Sequence, residues 1–411
     1  MSFTILTETE FEQFAASKEK TSFEQSLQMA KLRKARGYQV VFLGYKDELG
    51  AIQVAALSYF QKLFGGQKLE IYYGPIYAEE SFLGLFLEAL KAYAKQHKVL
   101  EIVLFPSENY QTFDSEGTST SPVNIALLDF YQTHGFKHGG FKNGYEGNQL
   151  FWHYLKDLSN LTLEDLQKSF SKKGRPLVKK AHTFGIKLQK LEREQLTIFK
   201  DITRSTSERR EYSDKDLSYY QEFYDSFGDR AEFMVATLNF QDYYNHLNQD
   251  QAKLAQKLAQ LNDRLEKQPE SQKIQNQIRE FSEQFDTFEV RKEEALAFMA
   301  KYGNDDKVLA GSLFVYMPQE AVYLFSGSYT EFNKFYAPAL LQEYVMQEAI
   351  KRKIPHYNLL GITGNFDGSD GVLRFKQNFN GYIVRKMGAF TYHPRPLLYK
   401  SIQLLKKLLR R

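Results

Sequence analysis

Hydrophobic and polar positions along the chain form two matching series. β-rich runs appear at QVVFLGY (39–45), AIQVAALSYF (51–60) and LEIYYGPIY (69–77). A helix-period segment, FLGLFLEALKAYAKQHK, starts at Phe82, and an apolar run, LEIVLF (100–105), follows it. The second series reads AEFMVATLNF (231–240), then KVLAGSLFVYM (307–317) and EAVYLFSGSY (320–329). It closes with the helix-period segment APALLQEYVMQEAIKRK from Ala337 and the run YNLLGI (357–362). Strand, strand, strand, helix, strand is thus predicted twice. Two copies of one α/β unit explain both length and order; coincidence in a generic α/β protein is the alternative.

Between the first two strands of the later series, strand signals vanish. Leu254, Leu258, Leu261 and Leu265 step by fours and threes, Pro269 interrupts, and Ile274, Ile278, Phe281, Phe285 and Phe288 resume the step. That is the a/d seam of a coiled coil, twice, around a break. It predicts an antiparallel helical hairpin projecting from the second unit, either a handle for a large ligand or an insertion with no partner. The expected organisation is 1–150 for the first unit, 151–240 with 303–396 for the second, and 241–302 for the arm. Residues 397–411 form a basic amphipathic helix. There Leu398, Ile402, Leu405 and Leu409 share one face, and Lys400, Lys406, Lys407, Arg410 and Arg411 supply cations. This pattern suits a helix lying on an anionic membrane; packing of the leucines on the second unit is the alternative.

Composition narrows the chemistry. No cysteine occurs among the 411 residues, which excludes disulfides, thiol nucleophiles and thiolate metal sites. The first twenty residues are polar and acidic, unlike a signal peptide, and no run is apolar enough to span a bilayer, so a cytoplasmic protein is expected. A net charge of +4 permits a polyanionic partner without requiring one. The 27 tyrosines and 34 phenylalanines exceed ordinary needs and suit grooves for sugars or bases as well as cores. No Walker A, G-x-S-x-G or H-E-x-x-H pattern occurs, and the eight histidines show no metal-binding pair. GITGNFDG is not followed directly by a helix signal, as a phosphate loop would be. No metal or cofactor is expected.

The repeated unit suggests two acetyltransferase-like (GNAT-like) α/β domains. Such enzymes cradle a pyrophosphate on a glycine-rich turn at a helix N-terminus. YAEESFL and NKFYAPALL stand there instead, so a donor other than coenzyme A is expected.

Five stretches carry a more specific likeness: SFEQSLQMAKLRKARGY (22–38), FSKKGRPLVKKAHTFGIKL (170–188), TSERREYSDKDLSYYQEFYDSFGD (206–229), SGSYTEFNKFYAPALLQEY (326–344) and LRFKQNF (373–379). Through them the whole chain resembles the FemABX family of peptidoglycan cross-bridge aminoacyltransferases, and within it the MurM/MurN branch. The resemblance implies transfer of an amino acid, alanine by that likeness, from aminoacyl-tRNA. The acceptor would be the stem-peptide lysine branch of a lipid-linked precursor, with a peripheral membrane contact at the inner face.

Phe375 and Lys376 match the family pair that borders the reaction centre. Lys376 would donate to the oxyanion or to the leaving ribose oxygen, Phe375 would shape the donor's apolar surroundings, and the preceding glycines would let the backbone bend around substrate. A surface lysine after a loop is the alternative. For the acceptor, Arg33 stands where relatives have lysine, and Lys215, four residues before Tyr219, where they commonly have arginine. Charge is kept, but an ammonium lacks the bidentate grip of a guanidinium. Tyr38 and Tyr110 are further acceptor candidates, or packing residues. Lys172, Lys173, Arg175, Lys179 and Lys180 form a basic strip free of acids, suited to tRNA phosphates or simply a solvated helix end. A non-catalytic RNA-binding protein that uses this strip and the arm is the competing function.

Overall fold

The computed structural model describes residues 1–145 and 150–409. Each series builds a mixed eight-stranded sheet. In the first, the strands Ser2–Ile5, Gln39–Lys46, Ile52–Leu63, Gly66–Tyr72 and Val99–Phe105 lie side by side, and the last two are parallel. The helix Glu80–Gln96 makes the crossover between that parallel pair. In the second sheet, Lys187–Lys190, Ala231–Leu238, Lys307–Tyr316, Glu320–Ser328 and His356–Ile362 repeat the order, and the helix Ala337–Lys351 makes the crossover to the parallel last strand. The duplicated unit is therefore present in the fold.

The copies differ at the parallel pair. In the first unit, pairing runs from Gln67 to Tyr72 against Val99 to Phe105. In the second, it joins only Glu320 to Val322 with His356 to Asn358. The two sheets also exchange strands. Phe390–Tyr392, near the end of the chain, inserts between Val99–Phe105 and Lys137–His138 of the first sheet. Asn109–Phe113 pairs with Tyr382–Lys386 at the edge of the second. Between the units lies shared core: Phe11, Phe42 and Leu57 of the first pack in one cluster with Phe199, Tyr220 and Phe233 of the second. Burial of this kind holds the units as one body.

The arm is an antiparallel pair of helices, Phe240–Lys267 and Gln272–Tyr302. Its seam is the one the spacing predicts: Leu254 and Leu261 are buried, and Leu258, Leu265, Ile274, Ile278, Phe281, Phe285 and Phe288 are half-buried. The root is fixed by aromatic packing, with Phe240 stacked on Phe298 at 4.7 Å and close to Phe332 and Phe335.

The C-terminal helix spans Pro396–Leu409; Arg410, Arg411 and the side chain of Leu409 lie outside the described residues. It docks on the first unit, not the second. Ile402 is buried in the notch left by Gly65, where a Cβ would stand 2.5 Å from Ile402 Cδ1. Tyr399 stacks on His393 at 3.8 Å. The predicted apolar face is therefore split: Ile402 is buried against the first unit, while Leu398 and Leu405 remain 41% and 43% exposed.

Candidate active site

Lys376 rides on the short helix Gly371–Gln377, not on a loop. Asp370 starts that helix: its Oδ1 accepts from the Val372 and Leu373 amides at 2.8 and 3.0 Å. Its Oδ2 accepts from the amide and hydroxyl of Thr363, both at 2.8 Å, which ties the glycine-containing loop back onto the helix. Gly364, at φ +77°, lies flat against Trp152, where a Cβ would meet Nε1 at 2.3 Å. That glycine serves packing within the protein.

The alternative of a surface lysine fails, because Lys376 is only 3% exposed. Its Nζ donates to the carbonyls of Leu360 and Gly361 at 3.0 and 2.6 Å. A bulge presents both oxygens: the register of His356–Ile362 shifts between Asn358 and Gly361, and Leu360 takes φ +58°. Asn358 Oδ1 accepts from the Leu360 amide at 2.9 Å and steadies the turn. Burial pulls the lysine down to about 7, against the opposing field of Asp370. As an ammonium it keeps a third N–H beyond the two carbonyl bonds. Phe375 is half-buried, edge-on to Phe379 at 5.4 Å.

The basic strip is bolted to this helix. Lys172, Lys173, Arg175, Lys179 and Lys180 are all exposed, around and along the helix Gly174–His182. Gly174 abuts the Asn378 carbonyl so closely that a Cβ would lie 1.9 Å from it. Ser171 donates its amide to the same carbonyl at 3.1 Å, and Phe170 meets Phe379 edge-on at 5.4 Å. Two of the cations have local partners: Arg175 bonds the Lys168 carbonyl, and Lys180 lies over the Tyr336 ring at 5.5 Å.

A second cluster forms where the helix Leu27–Ala35 of the first unit packs on Leu217–Phe227 of the second. Arg33 lies over the rings of Tyr59, Tyr38 and Tyr72 at 4.7, 5.6 and 5.8 Å. Glu24 stands 3.6 Å from its guanidinium, and burial pushes that carboxyl up despite the cation. Lys215 reaches over the Tyr219 ring at 5.4 Å. Burial holds the Tyr219 hydroxyl above its ordinary range, with Glu24 adding to the rise and Arg33 and Arg36 opposing it. Arg33, Tyr38, Lys215 and Tyr219 are thus brought together across the unit boundary.

Tyr110 is not part of this cluster. It packs on Phe141 at 4.1 Å beside Arg385, near the far edge of the second sheet. Sequence reading missed Arg36, which lies over Tyr219 at 5.7 Å and pairs with Glu222 at 3.1 Å. Its place one turn after Arg33 was an available signal. It also missed Asp370, whose position before an apolar run is an N-cap signature. Tyr59 and Tyr72 carried no signal beyond strand alternation. Among the described residues, no group of three acidic or histidine side chains could hold a metal, and no helix is long and apolar enough to cross a membrane.

The sequence model of the FemAB family matches residues 6–407. The aminoacyltransferase FemA of Staphylococcus aureus, in strains N315 and MW2 among others, is 28% identical over 99% of both chains. A crystal structure of FemX superposes with a TM-score of 0.78 at 22% identity, over 98% of this chain and 100% of that one. A tandem GNAT protein from the clavulanic acid biosynthesis pathway shares the fold at a TM-score of 0.50 and 9% identity, over 96% and 99% of the chains.

Proposed function

Because the chain belongs to the FemAB family, we propose that it is an aminoacyltransferase of peptidoglycan cross-bridge synthesis, with aminoacyl-tRNA as donor. In this reading it places one amino acid, alanine by sequence resemblance, on the lysine branch of a lipid-linked precursor. Membership of the MurM/MurN branch is part of the same proposal and rests on the sequence stretches. The observation that carries the function is the rigid join between a buried lysine and an exposed basic strip: Gly174 and Ser171 are seated on the helix that holds Lys376.

The chemistry asks little else of the protein. The acceptor amine, entering neutral, attacks the ester carbonyl that links the amino acid to the tRNA ribose. A C–N bond forms, the ester C–O bond breaks, and the amine proton leaves with the ribose oxygen. The third N–H of Lys376, aimed by the Leu360 and Gly361 carbonyls, would hold the oxyanion as charge develops. Arg33 and Lys215 would hold the precursor's phosphates, with Tyr38 and Tyr219 as ring surfaces. Lys172, Lys173, Arg175, Lys179 and Lys180 would follow the tRNA backbone.

The C-terminal helix supports a peripheral contact with an anionic membrane, where a lipid-linked acceptor resides. Leu397, Leu404 and Leu408 are 80%, 62% and 60% exposed beside Lys400, Lys406 and Lys407. The deciding experiment incubates the protein with charged tRNA and precursor and weighs the precursor. A gain of one amino-acid residue is expected. Binding of tRNA with no gain, from any of several charged tRNAs, would leave the RNA-binding function instead.

A further inference from the structure

Of the 27 tyrosines, two are exposed among the described residues: Tyr145 at 48% and Tyr212 at 47%. They are distant in sequence, yet both lie within the field of one cation. Desolvation raises both hydroxyls, and the Arg210 charge opposes the rise in each. An exposed tyrosine ring is an unspent apolar face. Such rings beside an arginine are what surfaces for single-stranded nucleic acid are made of.

Both rings are held by bonds to neighbouring chain. Ahead of Tyr145, the Trp152 indole N–H is shared between the Lys142 carbonyl at 3.2 Å and Asn143 Oδ1 at 3.0 Å. The Gly144 amide donates to the Thr363 carbonyl at 2.7 Å. The helix Leu196–Arg210 ends at Glu211, whose φ of +55° turns the chain. The Tyr212 amide then bonds back to the Ser207 carbonyl at 3.2 Å. Arg209 donates from its guanidinium to the Ser328 carbonyl at 3.1 Å, and its neighbour Arg210 is exposed.

This patch adjoins Lys376. The Tyr145 hydroxyl donates to the Gly361 carbonyl at 3.4 Å, the same oxygen that accepts from Lys376 Nζ at 2.6 Å. Asp370, the N-cap of the Lys376 helix, also acts on Tyr145 through space. The basic strip joins that helix at its opposite end, on the Asn378 carbonyl. A strand of RNA that follows the strip and reaches Lys376 therefore has the two tyrosines ahead of it.

We propose that Tyr145, Tyr212 and Arg210 form a stacking site for the unpaired end of the RNA donor. The two rings take the faces of its terminal bases, and Arg210 takes a backbone phosphate. The strip acts through charge; this site adds contact with bases and so requires an end free of pairing. That the RNA is the donor rests on the proposed function.

The test needs neither amino acid nor precursor. The full chain is titrated into a short single-stranded RNA whose 3′-terminal base is 2-aminopurine, a fluorophore quenched by stacking. Binding with quenching is expected, and a blunt, fully paired RNA should compete poorly. Tyr145→Ala and Tyr212→Ala should each weaken binding about tenfold and restore emission. Tyr145→Phe and Tyr212→Phe keep the rings and should behave as the wild type. Arg210→Met should weaken binding and lower its salt dependence. Neutralising the strip lysines should weaken binding of whole tRNA and leave the quenching at saturation unchanged. Binding without quenching overturns the site. So do alanine variants that quench like the wild type, or phenylalanine variants that fall as far as the alanine ones. If whole tRNA binds and these results fail, the stacking site falls alone. If no RNA binds at all, the donor assignment falls with it. Quenching without amino-acid transfer leaves the site standing and ends the transferase reading.

Discussion

Lys376→Met is the most informative perturbation, because it separates the lysine's electrical role from its packing. Methionine keeps the side chain's length and apolar stem and removes the charge and donors. The folded lysine titrates at about 7 against 10.5 for a free one. Between those values the unfolded chain holds a proton that the folded chain has released, so raising the pH favours the folded state. The slope from this group approaches about 1.4 kcal/mol per pH unit across that window. Below it, the wild-type protein carries the full cost of a buried ammonium. The methionine variant escapes that cost but takes the lysine donor from the Leu360 carbonyl, at about 1–3 kcal/mol, and leaves the Gly361 carbonyl with the Tyr145 hydroxyl at 3.4 Å. Urea unfolding from pH 6 to 10 should therefore show the variant losing ground steadily as pH rises. Lys156, held at about 8 by burial, contributes a rise of the same sign to both proteins and serves as an internal reference. Turnover with charged tRNA should fall about 10²-fold or more, as for other deleted oxyanion donors, while binding of a soluble precursor persists. Since the donor is the ammonium, kcat/KM of the wild type should also decline above about pH 7, a limb the variant's residual rate should lack. Parallel stability curves would refute the buried, depressed lysine, and near-normal turnover would refute its catalytic role.

Neutralising Lys172, Lys173, Lys179 and Lys180 together should weaken tRNA binding and reduce its salt dependence, by up to about 1 in log–log slope per lysine that meets a phosphate; an unchanged slope in filter binding would move the tRNA elsewhere. Gly174→Ala drives a Cβ to 1.9 Å from the Asn378 carbonyl and should cost about 1–3 kcal/mol by overpacking, with turnover reduced as strip and helix part; an unchanged melting temperature counts against that contact. Stopping the chain after Pro396 uncovers Gly65 and loses the burial of Ile402, about 2 kcal/mol. The shortened enzyme should stay folded and active on a soluble precursor but weak on the lipid-linked one in anionic vesicles. Equal loss of both activities would end the membrane reading.

Local periodicity made much of the architecture legible. The two strand series, their crossover helices and the seam of the arm follow from repeats of two and of three to four residues, which act within a few neighbours and need no partner to be seen. Phe375, Lys376, Arg33, Lys215 and Tyr219 became candidates through the family resemblance, and no local period marks them. Tertiary structure decided the rest. Phe390–Tyr392 and Asn109–Phe113 are too short to carry a pattern that names their sheet, so their exchange between sheets is set by which edge remains open. Arg33 meets Tyr219 because two helices from different units pack face to face, and no spacing along the chain encodes that meeting. Lys376 is buried and lowered because a register shift turns two carbonyls toward it. A bulge is a mismatch between strands, and so it exists only once the strands have paired.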